Sequence, residues 1–109
     1  MVEIYLNGKP RHLKYDWPAL CALERKSGLG LLQLMEEMGK TFKFSYIGLL
    51  LWSGLLHEDE KLTLEEVERW ISPDQLVGIS KKLHEAFGQA AENLKGVFDG
   101  LESKSKLIN

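Results

Sequence analysis

A chain of 109 residues with a net charge of −2, its acids and bases mixed along most of its length, is one domain's worth of sequence. Such a domain buries roughly two thirds of the surface that its unfolded chain exposes, enough for a core without staples. It shows no basic stripe of the kind that binds phosphate backbones, and its single cysteine, Cys21, excludes an internal disulfide. The expectation is one domain over 1–102, a flexible tail over 103–109, and a reducing, cytoplasmic setting.

Val2 to Leu6 is short and β-prone, and the following Asn7-Gly8 tolerates the positive φ of a two-residue hairpin turn. Pro10 and then Arg11 to Tyr15, alternating polar and apolar, supply the return strand. This opening is polar and strand-like where a signal peptide is apolar. Asp16 is placed to cap a first helix, with Pro18 in its first turn and an apolar face from Ala19, Leu20, Ala22 and Leu23, ending near Ser27-Gly28. Leu31, Leu32, Leu34, Met35 and Met38 then recur at helical spacing, with Gly39 as the stop.

From Phe42 to Leu56 the chain is apolar on nearly every helical face, the signature of a central core helix or of one with a side reserved for a partner. It falls short of the roughly twenty residues needed to cross a bilayer, so no membrane is expected. Gly48 and Gly54 each cost about 1 kcal/mol relative to alanine inside a helix, which points to close contacts at both. Thr63-Leu64-Glu65-Glu66 has the form of a capping box, and Ser72-Pro73-Asp74-Gln75 repeats it, so the helix between them is short. Leu76, Leu83, Ala90 and Val97 fall seven apart, beside a second series of Phe87, Leu94 and Leu101. They predict one long amphipathic helix over 73–101. The fold class is therefore mainly α: about five helices behind an N-terminal β-hairpin, with a long C-terminal helix.

The abrupt acidic corner His57-Glu58-Asp59-Glu60 invites a metal or acid/base reading. A zinc site needs a second His or Cys at helical spacing, whereas His12, His84 and Cys21 lie in other elements. A calcium loop starting at Asp59 would place Leu64 where a Gly belongs and Trp70 where the last Glu belongs. Adjacent acids in a surface turn are ordinarily solvated, so a solvated corner is the better reading. Gly39-Lys40-Thr41 lacks the earlier glycine and the strand of a phosphate loop, and Gly28-Leu29-Gly30 lacks the third glycine of a dinucleotide fingerprint. Cys21 reads as a small packing residue, and Trp17, Trp52 and Trp70 as core or interface residues. No cofactor and no metal is expected.

The order of these features resembles the small tail assembly chaperones of long-tailed phages and prophages, and the related tail proteins of gene transfer agents. The matching residues are Leu6 to Lys9, Leu13 to Asp16, Leu20, Leu23-Glu24, Gly28, Leu50 to Leu56, His57 to Asp59 and Leu62 to Val67, within roughly the first eighty positions. The resemblance implies no catalysis. It implies that the chain binds the tape-measure protein, a long helical polypeptide, and supports assembly of tail-tube subunits around it, with self-association and without nucleic acid. Apolar helix surface suits a helical client, and the stripe Leu76, Leu83, Phe87, Leu94 and Phe98 is the expected contact. Two alternatives stand beside it: a DNA-binding regulator using Thr63 to Lys82 as a helix-turn-helix, and a metal-assisted enzyme using His57, Glu58 and Asp59.

Overall fold

The computed structural model describes residues 1–41, 43–90 and Glu92. A hairpin of β1 (Val2–Leu6) and β2 (Lys9–Leu13) is followed by α1 (Trp17–Ser27), α2 (Leu31–Lys40), α3 (Phe44–Leu55), α4 (Leu64–Trp70) and a last helix, α5, over 73–90. The expected class holds: mainly helical, behind a two-stranded antiparallel hairpin. The expected span of α5 from 91 to 101 and the tail over 103–109 lie outside the described residues, except for Glu92, which is helical.

Asn7 and Gly8 adopt φ of 53° and 71°, the left-handed pair of a two-residue turn, and so close the register Leu6↔Lys9 through Val2↔Leu13. The return strand begins at Lys9, earlier than expected, with Pro10 inside it. The register explains the tolerance. Outward N–H groups alternate with paired ones along an antiparallel strand, and Pro10, opposite Tyr5, occupies an outward position where no ladder donor is lost.

Asp16 caps α1, its Oδ1 accepting from the Ala19 N–H at 3.1 Å, and Gly28 ends the helix in the left-handed region at φ 75°. The Glu24 carboxylate then reaches across the break and takes the Leu31 N–H at 2.8 Å, supplying the cap that Gly30 lacks at the start of α2. Gly39 does not stop α2, which runs to Lys40 with Thr41 as its cap; helical φ costs glycine only entropy, and the turn is carried through to Glu37 O. Thr63 Oγ1 accepts from the Glu66 N–H at 3.2 Å, as a capping box requires. Ser72 makes no such bond: its hydroxyl turns to the Asp74 carboxylate, and α5 opens with a tight 3-10 turn at Pro73–Gln75.

The core gathers around α3. Ile47, Leu49, Leu50, Leu51 and Leu55 are all buried, together with Ile4, Leu6 and Leu13 of the hairpin, Leu23, Leu31, Leu34, Leu62 and Val67, and Ile79, Leu83 and Phe87 of α5. A helix that is apolar all round is thus surrounded by its own fold along most of its length. Gly48 faces α4, as expected of a close helix contact. Gly54 instead faces the hairpin: a β-carbon there would sit 3.0 Å from Leu13 Cδ2 and from Tyr15 Cζ and Oη.

Candidate functional site

The acidic corner is where a chemical site would be sought, and the fold uses it as a clasp. The Glu58 carboxylate accepts the His12 backbone N–H through Oε1 at 3.0 Å and faces His12 Nδ1 with Oε2 at 3.4 Å. His57 Nε2, which must carry a proton to do so, donates to the His12 carbonyl at 2.6 Å. One residue past β2, the Lys14 N–H donates to Gly54 O at 2.9 Å. The outward positions of β2 and of the residue just past it are therefore accounted for in order: Pro10 has no donor, His12 is satisfied at both groups by the corner, and the Lys14 N–H by the end of α3. An edge strand that would otherwise template pairing is closed by two side chains and a helix end.

Electrostatics follow from this geometry. Partial burial pushes the Glu58 carboxyl upward, but the His12 backbone bond, the His12 ring bond and the charges of His57 and His12 outweigh it and hold the group below its usual value. Glu3, opposite His12 in the hairpin, approaches His12 Nε2 at 3.6 Å. Asp59 is not part of the clasp; its Oδ1 takes the Lys61 N–H at 3.0 Å and shapes the turn. Among the described residues, no three His, Cys, Asp or Glu side chains are arranged to hold a metal ion.

Next to the clasp, Tyr15, between β2 and α1, ties α3 to α5. Its hydroxyl donates to Leu50 O at 2.7 Å, its ring meets Phe87 of α5 edge-on with centroids 5.1 Å apart, and burial pushes its phenol upward so that it stays a neutral donor. Arg11 lies 3.9 Å over the Trp70 ring while its Nε donates to Leu6 O, and Trp52 Nε1 donates to Leu62 O at 2.9 Å. Trp52 and Trp70 are thus partly buried joints, whereas Trp17 is 76% exposed. Cys21 is half-buried on α1.

The predicted stripe on α5 divides. Leu83 and Phe87 are buried in the core and border a cleft of about 230 Å³ against Met38, Tyr46 and Leu50. Leu94 and Phe98 lie outside the described residues. Leu76 does something different. With Phe44, Ile47, Ile71 and Pro73 it lines an open groove of about 400 Å³ where the start of α3, the end of α4 and the start of α5 meet. Phe44, at the mouth, is 73% exposed. Glu68 is the one charged residue along the described lining, and the stem of its side chain lies across Gly48, 3.1 Å from where a β-carbon would be.

Seven-residue spacing pointed to α5 alone and missed Phe44, Ile71 and Pro73 as neighbours of Leu76. The available signal was the apolar start of α3, with more large side chains than one core face can take. The first turn of α5, where a recognition helix would meet bases, carries Asp74 and no base. No described helix is long and apolar enough to cross a membrane. Compared with known proteins, the chain matches no family model, no curated protein and no solved structure.

Proposed function

We propose that this protein is a non-catalytic tail assembly chaperone of a phage or prophage, which binds a helical segment of the tape-measure protein while tail-tube subunits assemble around that client. The observation that carries this reading is the apolar groove lined by Phe44, Ile47, Ile71, Pro73 and Leu76. Large apolar side chains at a concave junction of helices are what an amphipathic helix docks against, through anchors one turn apart. The order of motifs along the first eighty or so residues supplies the identity of the client.

The reading places the contact at the α3–α4–α5 junction, with Leu76 as the stripe residue that reaches it, and leaves Leu83 and Phe87 to the core. Co-expression with the tape-measure protein encoded beside it tests the role. The client is expected in the soluble fraction only when this chain is present, and Phe44→Ser, at an exposed position, should weaken that effect in a chain that circular dichroism still shows folded. A client equally insoluble with and without the chain removes the proposal.

A further inference from the structure

Two properties of the groove together select what it can hold. The first is the state of its backbone. Ile47 and Gly48 belong to the helical turns of α3, the Ile71 N–H is spent on Glu68 O, and Pro73 has no N–H to offer. An extended peptide would find no strand edge there, and the outward edge of β2 is already closed by Glu58, His57 and Gly54. The described lining is helical and connecting backbone with no strand in it, which favours an occupant that satisfies its own backbone, as a helix does.

The second property is charge. Among the described lining residues Glu68, on α4, is the one that carries a charge, and no hydrogen bond or ion pair among the described residues engages its carboxylate. Two described bases close to it in sequence or element are placed elsewhere: Lys43 Nζ sits 5.9 Å from the Tyr46 ring centroid, and Arg69 is not among the described lining residues. A carboxylate held beside apolar surface favours a cation on whatever covers that surface, and disfavours an acid.

We propose that the groove receives an amphipathic helix carrying a lysine or arginine beside its apolar ridge, with Glu68 as the acidic partner of that base. This rests on the groove being the client site and names the chemistry of the client segment. Hydrophobic anchors supply most of the affinity, while Glu68 sets which helices are accepted and in which direction they lie.

The test uses the full chain and two fluorescent amphipathic peptides with the same leucine ridge, one flanked by lysines and one by glutamates, at low ionic strength. An exposed ion pair changes affinity by about two- to fivefold, and that is the preference expected for the lysine peptide. In Glu68→Lys, whose exposed position leaves the fold intact, the preference should reverse. Amide shift changes on binding should centre on Ile47, Gly48 and Ile71. Equal binding of both peptides, no binding of either, a preference that survives Glu68→Lys, or shifts centred elsewhere would each overturn the inference. Those failures leave the co-expression result untouched, whereas an insoluble client beside normal peptide selectivity would remove the tail reading and keep the groove chemistry.

Discussion

The two ends of α3 are put to opposite use. At its C-terminal end, Gly54 lets the helix approach Leu13 and Tyr15 so closely that a single added carbon would meet three atoms at 3.0 Å, and Lys14, Tyr15, His57 and Glu58 all bond across that junction. At its N-terminal end the N-cap residue Lys43 makes no side-chain capping bond, Phe44 stands mostly exposed, and the apolar surface continues into an open groove. One end is consumed in holding the hairpin to the helices. The other leaves apolar surface open among the described residues. Surface of this kind is characteristic of binding sites.

Matched glycine substitutions test that contrast most directly. Gly54→Ala should destabilise the protein by about 1–2 kcal/mol, because overpacking against the fixed Tyr15 ring outweighs the gain in helix propensity. The melting temperature should fall by roughly 5 °C or more, as read by thermal denaturation; an unchanged value would show that the junction is looser than its contacts suggest. Tyr15→Phe comes next. It removes the bond to Leu50 O, which keeps the Ser53 hydroxyl at 3.1 Å as a partner, so a loss of about 0.5–1 kcal/mol in denaturant unfolding is expected.

At the groove end the sign should invert. For Gly48→Ala the nearest described atoms belong to the flexible, exposed Glu68 side chain, which can swing aside, so a gain of up to about 0.5 kcal/mol is expected. Destabilisation there as large as at Gly54 would erase the distinction between the two ends.

The smallest effect belongs to the clasp and depends on pH. The carboxyl of Glu58 is held below its unfolded value of 4.5, so the folded state binds this proton less readily than the unfolded state does. Its contribution is therefore fully present above 4.5 and is lost as the pH falls through the lower folded value. Glu58→Gln should flatten the decline of stability between about pH 5 and pH 3. Because the group is exposed, the change in slope should be modest and should shrink further with added salt. An unaltered acid limb would mean that the clasp carries no stability.

The corner itself shows where sequence reasoning stops. That His57 and Glu58 end a helix and precede a Thr63-capped one is written locally, in the switch from apolar run to acidic turn to capping box. That the same two side chains seal His12, forty-five and forty-six residues away, depends on the hairpin folding back over the end of α3. The α5 stripe is similar. Its period is local, but whether a given apolar residue faces the core or a groove depends on what packs beside it, and Leu76 and Leu83, one heptad apart, differ on that point alone.

By itself the sequence determined the elements: the Asn7-Gly8 turn, the Asp16 and Thr63 caps, the left-handed stop at Gly28, the shortness of α4 and the central place of α3. These rest on interactions within a few residues, or on one helix's own periodicity. Tertiary structure alone decided that the acidic corner guards an edge and that the open apolar surface lies where three helices converge. Each of these depends on long-range juxtaposition, in which a side chain's role is set by the neighbour it meets.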